Sequence, residues 1–277
     1  EDIAEVCIDS RKAVPSSLFI PLRGEKTDGH HFIEDAAKRG AVCVLCEYTF
    51  WQKNREKLES GLGNTRVVLV ENTYHALWVL AAYHMRRLSG CTVIGITGSS
   101  GKTTTKELIG SILRCWKPTA VNPGNFNSEI GLPLSVFQVN ETHQFAVFEM
   151  GMNRKGEIGV LADIARPDLA LITNIGTAHI GMLGDRNNIL EEKSQIFSCF
   201  SGNEAGFMFE SDPYFNAVAE KTGVQLKPYG PKSTKGYHGA ENLGLYGTAI
   251  NWEELRIRLA VPGKHNLENA LGAVSLA

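Results

Sequence analysis

The segment 91–112 constrains the fold most, because it reads as a strand, a glycine-rich turn and a helix in direct succession. Residues 91–96 form a short apolar, β-branched run of strand length, and residues 97–101 are rich in Gly and Ser. From Lys102 onward, apolar residues recur at helical spacing. A phosphate-binding loop requires this context, because the N–H groups of the turn and of the helix start then converge on one anion.

The residues of this loop are expected to bind a nucleoside triphosphate. Lys102 adds a mobile positive charge for the outer phosphates, and Thr103 offers its hydroxyl to Mg²⁺. The strict pattern G-x-x-x-x-G-K-S/T is broken at Ile96, which stands where the first Gly would be. An ordinary glycine turn is the alternative, but the strand–turn–helix context favours the nucleotide. The expected nucleotide-binding residues are Thr97, Gly98, Ser99, Ser100, Gly101, Lys102, Thr103 and Thr104.

The composition excludes partners that require a strong charge. The chain has 28 basic and 30 acidic residues, a formal net charge of -2, and basic residues that are scattered. We therefore expect neither a nucleic-acid nor a membrane partner. No stretch approaches the roughly 18 consecutive apolar residues of a membrane span, and the start of the chain lacks a signal-peptide pattern, which together predict a cytoplasmic protein.

The cysteine pattern speaks against a metal site built from thiolates. The six cysteines are scattered, and only Cys43 and Cys46 lie close together in the sequence. These two point to opposite faces of a predicted strand. A zinc site would need a second ligand pair at suitable spacing, which the sequence lacks. We therefore expect all six to be reduced thiols in the core.

The order of the predicted elements indicates an α/β fold with two domains. Residues 1–88 form a small α/β unit, Ser89 and Gly90 form the hinge, and residues 89–277 form the nucleotide-binding domain. Buried strands separated by helices predict a mostly parallel, doubly wound sheet in the second domain. The predicted strands are 18–22, 41–46, 67–70, 93–96, 145–148, 169–172 and 206–209, and the predicted helices of the first domain are 31–38, 51–58 and 73–88.

Polar side chains follow two further strands of the predicted sheet. Glu149 follows one strand, and His179 lies a few residues after another. Because ligands of such sheets bind at the carboxyl ends of the strands, we expect both side chains near the phosphate loop. Glu149 and Thr103 offer the oxygen ligands that Mg²⁺ prefers. A solvated Glu and an ordinary His are the alternatives.

Lys193 lies on the apolar side of a predicted helix, four residues after Ile189 and four before Phe197. The lysine could extend its charged end to solvent. Alternatively, burial lowers its pKa, and the neutral amine takes up CO₂ to form a carbamate. The carbamate would convert a cation into a carboxylate-like metal ligand.

Several motifs in order resemble the Mur ligase family, which joins amino acids or peptides to the peptidoglycan precursor at the expense of ATP. The motifs are TGSSGKTTT (97–105), NPGNFNSEIGLPL (122–134), FEMGMNRKGEI (148–158), NIGTAHI (174–180) and GKHNLENAL (263–271). The second and third motifs resemble the MurF branch of the family. Residues 9–41 are similar to the UDP-binding domain that the MurE and MurF branches share.

The resemblance implies a ligase that adds D-alanyl-D-alanine to UDP-MurNAc-tripeptide through an acyl phosphate, with ATP and Mg²⁺ as cofactors. It implies catalytic roles for Lys102, Lys193 and His179. Thr103 and Glu149 would hold one Mg²⁺, and His179 with a carbamylated Lys193 would hold a second. We expect a monomer.

The same resemblance assigns the substrate contacts. Adenine would be contacted by Asn266 and Asn269, for which helix capping is the alternative. The reacting end of the substrate would lie near Asn125 and Asn127. The UDP-contacting residues would be Ser10, Arg11, Asp28 and His30.

The chain departs from the family pattern in two respects. Ser128 stands where the MurF branch usually has Asn, and the third domain of the family, which closes over ATP, has no counterpart. Since the chain opens without Met and closes inside a helical pattern, we expect a fragment of a longer protein. The competing interpretations are a MurE-type or folylpolyglutamate-synthase-like ligase, and a nucleotide-binding fragment that catalyses nothing alone.

Overall fold

The structure is a computed structural model that describes residues 3–177, 181 and 185–277. The chain divides into two compact units, Glu1–His84 and Met85–Ala277. In the described part of the chain, no helix is both long and apolar enough to cross a membrane.

The first unit contains a four-stranded parallel sheet with helices between its strands. Strand order follows chain order, and every neighbouring pair is parallel. Its elements are β1 (Glu5–Cys7), β2 (Ser17–Phe19), β3 (Ala41–Glu47), β4 (Arg66–Val70), α1 (Ile33–Lys38), α2 (Tyr48–Gly61) and α3 (Thr73–Arg87). Strand β2 ends earlier than the predicted segment 18–22, because Pro21 has no N–H group to continue the ladder.

The core of the first unit lies between β3 and the helices that follow the strands. Phe19, Val44 and Cys46 are buried on the sheet, and Ile33 of α1 and Leu58 of α2 pack against them. Burying such side chains stabilises a domain by about 1.5–3 kcal/mol each. The apolar runs that predicted these strands are therefore the residues that hold the unit together.

The second unit contains a six-stranded parallel sheet in the order β10-β9-β8-β5-β7-β6. Its strands are β5 (Thr92–Thr97), β6 (Thr119–Val121), β7 (Phe145–Glu149), β8 (Leu169–Ile172), β9 (Ala205–Phe209) and β10 (Lys227–Tyr229). Strand β5 lies between β7 and β8, so the direction of strand order reverses there. Such a switch point is where open parallel sheets bind ligands.

Helices connect and cover the strands of this sheet. They are α4 (Lys102–Arg114), α5 (Gly131–Val136), α6 (Glu157–Ala165), α7 (Arg186–Ser194), α8 (Phe215–Thr222) and α9 (Lys264–Leu276). Ile94, Ile96 and Val147 are fully buried in the central strands, where Ile109 of α4 and Leu271 of α9 pack with them. Burial on both faces explains the nearly continuous apolar runs of these strands. The predicted α/β class with mostly parallel sheets is confirmed.

A small antiparallel sheet near the end of the second unit was absent from the predicted elements. It consists of β11 (Tyr237–Asn242), β12 (Thr248–Trp252) and β13 (Leu255–Leu259). Most of β11 and β13 is exposed, and β13 alternates its apolar residues with Arg256 and Arg258. Exposed, charged strands lack the buried apolar run from which the other strands were predicted.

The cysteines are all free thiols, but they are not all in the core. Cys7 and Cys46 are buried, and burial raises the pKa of each to about 11. Cys115 is exposed after the end of α4. The prediction of six core thiols is therefore wrong for Cys115, because the apolar stripe of α4 faces the sheet and leaves that position in solvent.

Candidate functional site

Two glycines give the loop between β5 and α4 its shape. Gly98 and Gly101 have φ angles of 151° and 81°, which favour glycine. A Cβ atom at Gly98 would overlap the Thr173 hydroxyl, and one at Gly101 would overlap the Asn269 amide. Neither position can take a larger residue without moving a neighbour, so the loop depends on both glycines.

The end of strand β8 holds the same loop from the side. The Thr173 hydroxyl donates to the Ser100 carbonyl (2.6 Å), and the Ser100 N–H donates to Asn174 Oδ1 (3.2 Å). The Ser99 N–H donates to the Asn174 carbonyl (3.0 Å). Ser99 and Ser100 therefore direct their N–H groups toward Asn174. The N–H groups at the start of α4 have no partner within the helix and can therefore donate to an anion.

Lys102, the first residue of α4, turns back over the loop. Its Nζ donates to the Gly98 carbonyl at 3.1 Å. Burial lowers the pKa of Lys102, and the nearby Glu149 carboxylate opposes that shift. The amine therefore stands over the loop where a phosphate would lie, beside the positive end of α4.

Glu149 ends strand β7 and faces the start of α4. Its side chain is 2% exposed. Oε2 accepts a hydrogen bond from the Thr103 hydroxyl (2.8 Å), and Oε1 accepts one from Asn127 Nδ2 (2.7 Å). The carboxylate predicted from a strand end and the hydroxyl predicted from the loop thus meet directly.

These two groups fit a hard divalent cation. In the described part of the chain, no three His, Cys, Asp or Glu side chains cluster as a metal site complete in itself. Mg²⁺ does not need one, since it usually takes one or two protein oxygens together with phosphate oxygens and water. The touching oxygens of Thr103 and Glu149 meet that requirement. His179 lies outside the described residues.

Asn122, which sequence reasoning missed, fixes the backbone of Glu149. It is 1% exposed. Its Oδ1 accepts from the Glu149 N–H (2.8 Å), and its Nδ2 donates to the carbonyls of Glu149 (3.2 Å) and Phe126 (2.8 Å). The residue opens the motif NPGNFNSEIG, but nothing in its spacing indicates a contact with a distant strand.

Lys193 lies on α7 with 1% of its surface exposed, so its amine does not extend into solvent. Burial and, to a lesser extent, the charge of Lys102 lower the pKa of Lys193 to about 7, while the charge of Glu192 opposes the shift. A large fraction of the amine is therefore neutral near neutral pH. The sequence left extension to solvent and burial as alternatives for this lysine, and the structure buries it within electrostatic reach of Lys102 in the phosphate loop.

Glu192, also missed from the sequence, joins α7 to the start of α6. Its carboxylate is 2% exposed and accepts from the N–H groups of Gly156 (2.7 Å) and Ile158 (2.8 Å). A carboxylate at a helix N-terminus is favoured by the helix dipole. This contact fixes the position of the helix that carries Lys193.

The two asparagines predicted to contact adenine differ in their surroundings. Asn269 is 8% exposed and lies against Gly101. Asn266 donates its amide to the Pro262 carbonyl (2.7 Å), a local contact that does not cap α9, since the residue at the N-cap is Gly263. Of the pair predicted near the substrate, Asn127 contacts Glu149, whereas Asn125 is exposed.

The residues predicted to contact UDP lie in the first unit, where His30 has no exposed surface. Its Nδ1 lies 2.6 Å from Asp28 Oδ1, and its Nε2 accepts from the Glu47 N–H at 3.2 Å. The His30 ring therefore holds the Asp28 carboxylate in place. This role differs from the direct contact with UDP that was expected of His30. Ser10 is buried, whereas Arg11 is exposed and paired with Asp9.

Comparison with known proteins identifies relatives whose sequences are similar to nearly all of this chain. A protein of Treponema pallidum (strain Nichols) named UDP-N-acetylmuramoyl-tripeptide–D-alanyl-D-alanine ligase is 39% identical over 98% of this chain and 59% of its own length. A protein of the same name from Bacillus subtilis (strain 168) is 38% identical over 98% of this chain and 57% of its own length. The chain thus spans less than two thirds of these relatives.

Solved structures share the fold. MurF from Acinetobacter baumannii superimposes with a TM-score of 0.86 at 31% identity, over 99% of this chain and 59% of that one. MurF ligase from Thermotoga maritima, solved in complex with ADP, gives a TM-score of 0.83 at 27% identity, over 98% of this chain and 62% of that one.

Two family models account for both units. Residues 2–84 match the model described as "Mur ligase family, catalytic domain", and residues 96–277 match "Mur ligase middle domain". Because the second match alone spans more than half of the chain, the chain belongs to the Mur ligase family.

Proposed function

We propose that the protein is an ATP-dependent ligase of the MurF branch, which adds D-alanyl-D-alanine to UDP-MurNAc-tripeptide in peptidoglycan synthesis. The relatives at 38% and 39% identity carry this name. The observation that carries the proposal is the contact between Thr103 and Glu149 beside a glycine loop at the switch point of the sheet.

The reaction class requires several negative oxygens to be held together. In such a ligase, the γ-phosphoryl group of ATP passes to the substrate carboxylate, which gives an acyl phosphate and ADP. The incoming amine then attacks the acyl carbon, phosphate leaves, and the amine loses a proton. Neither step needs a protein nucleophile, so positioning and positive charge carry the catalysis. Lys102 and the start of α4 supply that charge.

The chain also offers the oxygens that would hold Mg²⁺. Thr103 and Glu149 would hold one ion, which when bound neutralises charge on the phosphate oxygens. His179 and a carbamylated Lys193 would hold a second. The pKa of Lys193, lowered to about 7, supports the carbamate because only a neutral amine reacts with CO₂.

The remaining predicted contacts are kept as proposals. Residues 1–88 would bind the UDP end of the substrate through Ser10, Arg11 and Asp28, with His30 holding Asp28 in place. Residues 89–277 would bind ATP. Asn127 would lie near the reacting end of the substrate together with Asn125. Asn269 would approach the nucleotide from beside the loop, and Asn266 from the start of α9.

The test is an assay of ADP release by the whole protein. We expect turnover only when ATP, UDP-MurNAc-tripeptide and D-alanyl-D-alanine are all present. Turnover with UDP-MurNAc-dipeptide and a single amino acid would instead assign the chain to a MurE-type ligase. ADP release that ignores both cosubstrates would contradict the proposal.

A second candidate function concerns residues 1–277 alone. The chain spans 57–59% of the curated relatives named above, so these residues by themselves would bind nucleotide without ligating. The same assay, combined with a calorimetric measurement of nucleotide binding, distinguishes the two functions, since binding without ADP release by residues 1–277 would favour this one. We further propose that the protein is a monomer and that it is cytoplasmic, because its proposed cosubstrate is ATP.

A further inference from the structure

Helix α4 contains a buried lysine, Lys106, that has no part in the proposed chemistry. Lys106 lies one helical turn after Lys102 and has no exposed surface. Its Nζ donates to the carbonyls of Asn122 (2.8 Å) and Gly124 (3.1 Å), and lies 3.2 Å from the half-exposed carboxylate of Glu107. Burying a charge is unfavourable unless it is hydrogen-bonded, so these two carbonyls are what hold the cation inside.

Both carbonyls belong to the loop 122–130 that follows β6. The same loop carries the side chains that surround Glu149. Asn122 pairs with the Glu149 N–H (2.8 Å) and carbonyl (3.2 Å), and Asn127 donates to the Glu149 carboxylate (2.7 Å). The loop therefore sets both the backbone position and the carboxylate direction of Glu149.

These contacts connect α4, the loop and Glu149 to one another. Helix α4 presents Thr103 to one oxygen of Glu149 (2.8 Å), while the loop presents Asn127 to the other. Lys106 joins the loop to the same helix that carries Thr103. A displacement of the loop from α4 would thus separate the two oxygens that meet at the proposed cation site.

We propose that Lys106 is a positioning residue: it ties the loop 122–130 to α4 and thereby sets the Glu149 carboxylate beside Thr103 for a divalent cation. The inference rests on the proposed function, since it presumes that the site binds nucleotide with Mg²⁺. Lys106 itself is one turn from the phosphate loop and directs its amine to backbone carbonyls, not to the nucleotide.

The test compares nucleotide affinity with and without the cation. Binding of ADP is measured by calorimetry in excess Mg²⁺ and in EDTA for wild type, Lys106→Met and Glu107→Gln. We expect Lys106→Met to weaken binding about 10- to 100-fold in Mg²⁺, as loss of an outer-shell partner does, and to change binding in EDTA by less than about threefold. Glu107→Gln, which leaves both carbonyl contacts in place, should match wild type.

The outcomes separate this inference from the proposed function. If wild type binds no ADP, the proposed function fails. If wild type binds but Lys106→Met loses affinity equally in Mg²⁺ and in EDTA, or loses none, Lys106 does not position the cation site. If thermal melting shows that Lys106→Met is unfolded, Asn122→Ala is used to test the contact between the loop and Glu149. A loss of ADP affinity in Asn122→Ala that is equal in Mg²⁺ and in EDTA would also overturn the inference.

Discussion

At the scale of single residues, the site depends on two lysines in different environments. Lys102 is partly buried near the Glu149 carboxylate, whose negative charge favours the ammonium form. Lys193 is more deeply buried, and the positive charge of Lys102 disfavours protonation of the Lys193 amine. Burial and a like charge therefore act together on Lys193, and this residue is the one suited to react as a neutral amine.

A pH-dependent carbamate follows from the pKa of Lys193. That pKa is lowered from 10.5 to about 7, so the amine is mostly protonated at about pH 6 and mostly neutral at about pH 8. With ¹³C-bicarbonate, we expect a carbamate signal in the NMR spectrum that grows as the pH rises through this range. Lys193→Met should abolish the signal, whereas the exposed Lys155→Met should keep it. A signal that survives Lys193→Met would remove the carbamate proposal.

At the scale of elements, a single carboxylate joins two helices. Glu192 accepts from two N–H groups at the start of α6, whereas its neighbour Glu191 forms exposed ion pairs with Lys155 and Lys221. Adjacent residues of one helix thus offer a buried anchor and a matched surface control.

We expect Glu192→Ala to lower the free energy of unfolding by about 2–4 kcal/mol, because the buried N–H group of Ile158 and the partly buried N–H group of Gly156 lose a charged acceptor. Glu191→Ala should lie close to wild type, since exposed ion pairs contribute little. Urea unfolding followed by circular dichroism measures both. Equal effects of the two variants would show that Glu192 is not the anchor of α7.

Strands that contain a clear apolar run could be predicted from the sequence, and very short or charged strands could not. Strand β8 (Leu169–Ile172) matches its predicted bounds, because four consecutive apolar residues are expected to be buried in the core. Strands β6 and β10 have three residues each, which is too short for a pattern. Strand β13 is mostly exposed and therefore carries no apolar run.

The residues of the candidate site likewise include some that could be predicted from the sequence and some that could not. Lys102, Thr103 and Glu149 could be predicted, because a loop motif and a strand end are local in sequence and the parallel sheet brings strand ends together. Lys106, Asn122 and Glu192 could not, because each acts through a backbone group of a segment at least 16 residues away. Such contacts depend on the tertiary fold, which no local pattern specifies.

At the scale of the whole molecule, the described residues of the phosphate site all lie in the second unit. The glycine loop, Glu149 and Lys193 belong to Met85–Ala277, on elements of one sheet and its helices. The residues proposed for UDP lie in Glu1–His84. Nucleotide binding is therefore a property that residues 1–277 should have, whatever further segments ligation requires.

Nucleotide binding to residues 1–277 is thus the most direct measurement. We expect saturable binding of ADP in excess Mg²⁺ by calorimetry, weakened at least about tenfold in Lys102→Met, because the amine over the loop contributes a charge-assisted contact to phosphate. Lys232→Met, at an exposed position, is the control and should bind as wild type does. Absence of saturable binding, or unchanged affinity in Lys102→Met, would contradict a phosphate site at this edge of the sheet.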